Sequence, residues 1–328
     1  MLVTILLASV GLALLLGGAE WLVRGASRLA RYFGVSPLVT GLTVVAIGTS
    51  APELAASLIS AFQGFGDIAL GNVVGSNIVN IGLILGLTAL WVPIRVVDTL
   101  NTRLIPFLLT VSTVLFLFSW TGFILSRTEG LALLFLLILF LAYTIRTARS
   151  KTGTETASET KHPTDAQAKT GVQRSQIKGF LPINVALILV GLVLLGGGAN
   201  LFIRGAVEFA RLVGISEAVI GVTVVALGTS LPELAASISA VRKRLPSMAV
   251  GNIVGSNIFN TLFIVGTPAA LFPFAVSPSL VSISIPVMLG FTILLMVFCL
   301  TKRTVSRAEG GFLLLLVVLY FSSLLRFS

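Results

Sequence analysis

The sequence predicts an all-α polytopic membrane protein, with ten transmembrane helices arranged as two inverted five-helix repeats. Three observations lead there. The 328 residues are 56% hydrophobic and only 10% charged, against about 25% charged in ordinary soluble domains. About ten apolar runs approach the roughly twenty residues that cross a bilayer as a helix. The chain also matches itself at a single offset of 180. "GLTVVAIGTSAPELAASLIS" (41–60) shares fourteen of twenty positions with "GVTVVALGTSLPELAASISA" (221–240), and "GNVVGSNIVN" (71–80) shares eight of ten with "GNIVGSNIFN" (251–260).

The first half supplies five apolar segments, at about 2–23, 36–61, 68–92, 104–122 and 129–146. Its opening run lacks a basic leading region, so it reads as a true helix and not as a cleaved signal. The second half supplies 183–203, 216–241, 248–273, 280–300 and 310–326. The same offset pairs Arg24 with Arg204, Gly17 and Gly18 with Gly197 and Gly198, and "SRTEG" (126–130) with "SRAEG" (306–310). Between the halves, 149–178 is polar, threonine-rich and mixed in charge, the composition of a soluble, largely disordered linker. The expected division is a first repeat at 1–148, a linker at 149–178 and a second repeat at 179–328. Five spans per half force the second half to insert upside down relative to the first, a common transporter architecture with the substrate site between the repeats.

Charge predicts the orientation. With the N-terminus outward, inward loops hold 18 of the 22 Lys and Arg, and the outer side keeps Arg127, Arg204, Arg211 and Arg326. The positive-inside rule then puts both termini outside and the linker in the cytoplasm, in a plasma or inner membrane. The net charge of +10 comes from basic residues standing singly at the ends of apolar runs, so nucleic acid is not an expected partner. Cys299, alone and inside an apolar run, rules out a disulfide framework. His162 is the single histidine and falls in the linker, which removes His-based catalysis and His-rich metal sites. No enzyme activity, resident cofactor or obligate protein partner is expected. The lipid bilayer is the expected surrounding.

The duplicated motifs carry the chemistry. Glu53 and Glu233 are the acidic residues near segment centres, where a carboxylate costs about 2.5–3.5 kcal/mol. A structural ion pair would need a Lys or Arg at similar depth, and none is expected there. A bound cation is the better partner. Pro52 and Pro232 have no N–H, so the carbonyls of Gly48 and Gly228 lose their helical bonds. Non-helical backbone at membrane depth is tolerated where it lines a cavity or is buried in protein, which makes the carbonyls around 46–48 and 226–228 candidate oxygen ligands. Thr49 and Glu53, Thr229 and Glu233, Ser76 and Asn80, and Ser256 and Asn260 are i,i+4 pairs, each on one helix face. Gly71, Gly75, Gly251 and Gly255 allow the helices bearing them to approach closely. Carboxylate, hydroxyl, amide and carbonyl are all hard oxygen donors, suited to Ca²⁺ with its 6–8 oxygens and unsuited to Zn²⁺ or copper. Asn72, Asn77, Asn252 and Asn257 read equally as ion ligands or as interhelical hydrogen-bonding groups.

"GTSxPEL" followed by "GNxVGSNIxN", twice in inverted halves, resembles the sodium/calcium exchanger family of the cation/calcium antiporter superfamily. The likeness covers essentially the whole chain and is closest to compact prokaryotic members without large regulatory domains. It implies ten helices, with the second, third, seventh and eighth forming an ion core. It implies Ca²⁺ ligation by Glu53 and Glu233 with the Thr49 and Thr229 carbonyls nearby. It implies flanking Na⁺ sites at Ala46, Ser50, Ser76, Ala226, Ser230 and Ser256, with Asn80 at the centre. Potassium-dependent members and some others carry Asp where this chain has Asn260, so the likeness stops short of K⁺ co-transport.

The expected activity is Na⁺/Ca²⁺ antiport by alternating access at the two glutamates. A Ca²⁺/H⁺ antiporter using the same carboxylates is the alternative. A channel would show flux without counter-ion dependence. An intramembrane enzyme would need a Ser–His, Asp–Asp or metal–His set at depth, which the sequence does not offer. The first and sixth helices carry matched glycines (Gly11, Gly17, Gly18, Gly25; Gly191, Gly197, Gly198, Gly205), which suit either sliding against the core or plain close packing.

Overall fold

Apolar runs bounded by glycine, proline and charge fold here into long helices. A computed structural model of the chain describes residues 2–95, 100–150, 174–214, 226–302 and 304–327. We label the helical segments α1 (Leu2–Phe33), α2 (Pro37–Thr49 and Ala51–Phe62, bent by 45° at the break), α3 (Gly66–Trp91), α4 (Thr102–Trp120) and α5 (Arg127–Ser150). In the second half they are α6 (Arg174–Leu212), α7 (Ala226–Thr229 and Leu231–Arg242), α8 (Pro246–Leu271), α9 (Leu280–Thr301) and α10 (Arg307–Phe327). Among the described residues, eight helices are long and apolar enough to cross a membrane, or nine counting the bent α2 as one span. The expected segment 216–241 is described only from residue 226, and 151–173 of the expected linker lies outside the described residues.

Several boundaries differ from the expected ones. α1 runs ten residues past 23, because hydropathy stops at the first charges whereas helix formation does not. Glu20 and Arg24, an i,i+4 pair at 3.0 Å, carry the helix on. It ends at Gly34, whose φ of 66° is the left-handed helix stop. α5 reaches Ser150 and α6 starts at Arg174, so helix occupies both margins of the expected linker.

The fold is mostly helical, as expected, with one small addition. Two antiparallel strand pairs, each strand two residues long, clip the halves together: β1 (Ile94–Arg95) with β4 (Thr304–Val305), and β2 (Ile124–Leu125) with β3 (Phe274–Ala275). Adding 180 to Ile94 and subtracting it from Val305 converts their pairing into Phe274↔Leu125, so the clips are related to each other by the duplication. Loop ends there satisfy their backbone groups by pairing across the repeats.

Burial separates the helices into two classes. The apolar stretches of α3 and α8 are 78% and 94% buried, whereas the other long helices range from 17% to 39%. α3 and α8 therefore form the centre, and their surroundings present Leu, Val and Phe side chains outward. α1 and α6 pack antiparallel: Gly11 meets Gly198, Gly18 meets Gly191, and Gly205 meets Thr4 and Ala8. A Cβ on Gly11, Gly18, Gly191 or Gly198 would come within 2.8 Å of the facing carbonyl oxygen, so this crossing requires their bare backbone. Gly17 and Gly197 are different. A Cβ there meets nothing within 4 Å. Of the adjacent pairs Gly17/Gly18 and Gly197/Gly198, only the second member of each lies in the close packing. In the second half of α1, Glu20 takes hydrogen bonds from Lys243 and, at 3.3 Å, from the Ser239 hydroxyl of α7.

Candidate functional site

The site begins with a break in α2 and α7. Ser50 (φ −84°, ψ 8°) and Ser230 (φ −89°, ψ 5°) leave the helical region and divide each segment into two pieces. Pro52 and Pro232 lie in the first turn of the second piece, where a missing N–H costs nothing. The prolines thus start a new helix instead of kinking a continuous one. Glu53 and Glu233 fall in those same first turns, the helix end that favours negative charge. The i,i+4 argument for Thr49 with Glu53 fails at the break, because the two residues belong to different pieces. Thr49 instead directs its hydroxyl to Asn252 Oδ1 at 3.3 Å and to the Ala46 carbonyl at 3.4 Å. The Ala46 carbonyl also takes the Ser50 N–H at 3.1 Å, so it is not a freed group, though a carbonyl's second lone pair allows a further partner. Thr229 closes the short helix that Ala226 opens.

Both glutamates have 0% exposure. Their carboxylates lie within electrostatic reach of each other, and among the described residues no Lys or Arg pairs with either. Glu233 Oε1 accepts the Ser50 hydroxyl at 2.8 Å. Glu233 Oε2 and both oxygens of Glu53 are buried without a hydrogen-bond partner among the described residues, and so are Ser76 Oγ, Ser256 Oγ, Ser230 Oγ, Asn80 Oδ1 and Asn260 Oδ1. Buried polar atoms are ordinarily paired. Here eight oxygens, all on residues singled out by the motifs, depart from that rule together. A hard cation is the group such oxygens accommodate.

The asparagines cross-link the central helices. Asn72 Nδ2 donates to the Glu53 carbonyl at 3.1 Å and to Ser57 Oγ at 2.9 Å. Asn252 repeats this with the Glu233 carbonyl at 3.3 Å and Ser237 Oγ at 3.1 Å. Asn80 Nδ2 donates to Asn257 Oδ1 at 2.9 Å, and Asn260 Nδ2 to Asn77 Oδ1 at 3.1 Å. α3 and α8 each carry a π-helical stretch, and these begin at Asn80 and Asn260. Such stretches often mark functional positions. Sequence reading missed the π-turns and the roles of Ser57, Ser237 and Thr261; the doubled "GN" and "SN" motifs were the available signal for the asparagines. Gly251 and Gly255 do press α8 against the backbone of Leu38 and Leu42 in α2. The residues related to those in α7, 218 and 222, lie outside the described residues.

A cavity of about 350 Å³ adjoins the site, lined by α3, α6 and α7. Its lining is apolar except for Ser230.

Known proteins resemble this chain along its length. The family described as sodium/calcium exchanger protein matches residues 3–146 and again 183–326, two copies at the same offset of 180. The inner membrane protein YrbG of Escherichia coli is 37% identical, over 98% of this chain and 98% of its own length. The sodium/calcium exchanger MaX1 of Methanosarcina acetivorans is 33% identical, over 97% of both. The sodium-calcium exchanger NCX_Mj, solved after soaking with 10 mM Na⁺ and 10 mM Sr²⁺, superposes with a TM-score of 0.81 at 32% identity, over 98% of both chains. With its motifs and its end-to-end likeness in agreement, this multi-pass membrane protein belongs to the sodium/calcium exchanger family.

Proposed function

We propose that the chain exchanges Na⁺ for Ca²⁺ across the membrane by alternating access around one midplane site built by Glu53 and Glu233. Eight buried oxygens without partners are the observation that carries this reading. Two carboxylates match one divalent charge. Glu53 and Glu233 hold Ca²⁺ together with the carbonyls of Thr49 and Thr229. Ala46, Ser50, Ser76, Ala226, Ser230 and Ser256 serve the flanking Na⁺ positions, with Asn80 and Asn260 at the centre. Without cations the site carries two buried charges, too costly to pass through an occluded state. Loading is thereby coupled to movement, and leak is suppressed.

The proposed frame is ten transmembrane helices in two inverted repeats, 1–148 and 179–328, joined by a cytoplasmic linker at 149–178 with both termini outside. The antiparallel crossing of α1 and α6 and the paired strand clips support the inversion. In this frame the cavity beside Ser230 reaches the site from the outer part of α6, near Phe202 and Ala206. The contact between Glu20 and Lys243 lies on the cytoplasmic side. The name of MaX1 and the Na⁺ in the soaked NCX_Mj favour Na⁺ as the driving ion.

Radioactive calcium uptake into vesicles, with Na⁺, H⁺ and K⁺ gradients imposed separately, tests the proposal. A Na⁺ gradient alone is expected to drive uptake. Uptake driven by a pH gradient without Na⁺ would instead make the same glutamates proton carriers.

A further inference from the structure

Asn77 and Asn257 stand one turn before Asn80 and Asn260, and the ion site just proposed gives them no role. Resting on that site, we propose that they are positioning residues, which fix the two central amides with oxygen toward the ions. A primary amide has two faces, an accepting oxygen and a donating nitrogen. Turned one way, Asn80 and Asn260 offer oxygen to a cation. Turned through 180°, each puts an N–H group where the oxygen was, and the reversed dipole repels the ion.

The hydrogen bonds select the first orientation. Asn80 Nδ2 is held by Asn257 Oδ1 at 2.9 Å, and Asn260 Nδ2 by Asn77 Oδ1 at 3.1 Å. Each amide donor is thus drawn across to the opposite repeat. The Oδ1 atoms of Asn80 and Asn260 are left buried and without partners among the described residues. Asn257 and Asn77 are themselves held. Asn257 Nδ2 donates to the Asn77 carbonyl at 3.3 Å, and Asn77 Nδ2 to Thr261 Oγ1 at 3.2 Å. The Thr261 hydroxyl in turn donates to the Asn257 carbonyl at 2.9 Å. With their donors engaged in this way, the Oδ1 atoms of Asn77 and Asn257 are kept as acceptors. All four asparagines are at most 1% exposed.

Simple interhelical adhesion would use the same bonds but predicts different behaviour. A carboxylate presents oxygen whichever way it turns, so an Asp at 260 needs no orienting neighbour. A double-mutant cycle separates the two accounts. Calcium binding to the purified full-length protein is measured by equilibrium uptake of the radioactive ion, with the melting temperature as the check on folding. Asn77→Ala is expected to weaken Ca²⁺ binding by about 10–100-fold, the usual effect of losing a supporting partner. In an Asn260→Asp background, Asn77→Ala should cost much less, measured against Asn260→Asp alone. Asn257→Ala with Asn80→Asp gives the mirror cycle. Asn77→Asp keeps an acceptor for Asn260 Nδ2 and is expected to retain binding even if Asn77→Ala fails to fold. Equal losses in both backgrounds, no loss at all, or an Asn77→Asp as weak as Asn77→Ala would overturn the positioning role. Undiminished Ca²⁺ binding by Glu53→Gln would instead refute the underlying ion site, whatever the asparagine variants do.

Discussion

Ser50 and Glu233 stand 183 positions apart in the chain, yet the serine hydroxyl donates to the carboxylate at 2.8 Å. The bond crosses from one half of the chain to the other, so the surroundings of Glu233 are built by both. The related pair is Ser230 with Glu53, and there the bond is missing: Ser230 Oγ and both Glu53 oxygens lack partners among the described residues. Two nearly identical sequences thus hold their serines differently.

Ser50→Ala removes both this donor and one of the oxygens assigned to Na⁺. It is expected to raise the Na⁺ concentration for half-maximal exchange by about 10-fold, with a smaller effect on Ca²⁺. Initial rates at varied Na⁺ and fixed Ca²⁺ check this. Equal shifts for both ions would place Ser50 outside the Na⁺ set.

The crossing of α1 and α6 makes a sharper distinction between neighbouring glycines. Gly18→Ala forces a Cβ to within 2.8 Å of the Gly191 carbonyl and should destabilise the protein by about 1–3 kcal/mol, the usual cost of overpacking. Gly17→Ala meets nothing within 4 Å and should be neutral or gain up to about 1 kcal/mol from helix propensity. Thermal melts of the two variants in the same detergent decide. Equal melting temperatures would mean the helices do not touch there.

Asn260 is an amide at the position where the family resemblance implies a carboxylate in potassium-dependent members. K⁺ is therefore expected to leave the exchange rate unchanged when ionic strength is held constant. A K⁺ requirement would show that the residue at 260 does not determine K⁺ coupling.

Much of this protein was legible in its sequence. The 180 offset located both halves, and the buried glutamates stood out because lipid makes an unpaired carboxylate expensive. Glu53, Glu233, Ser76, Ser256, Ser230, Asn80 and Asn260, whose buried oxygens lack partners among the described residues, all stand in the two motifs. The breaks at Ser50 and Ser230 were harder to read, because proline is compatible with both a kink and a fresh helix start. Helix ends were misplaced where charged residues such as Arg24 and Arg28 continue a helix beyond the apolar run. The asparagines were the least legible. An Asn in a motif can donate, accept or do both, and only the partners of Asn77 and Asn257 show which face is turned to the site. The strand clips at Ile94 and Phe274 involve two residues each, too few to form a pattern.

The most direct test is Ca²⁺ uptake into Na⁺-loaded vesicles by Glu53→Gln and Glu233→Gln. Each replaces a carboxylate with an amide of similar shape, and so removes charge while leaving the packing of α2 and α7 in place. Both variants are expected to melt as the unaltered protein does and to take up no calcium above the background of empty vesicles. Robust uptake by either one would contradict the claim that these two side chains hold the transported ion.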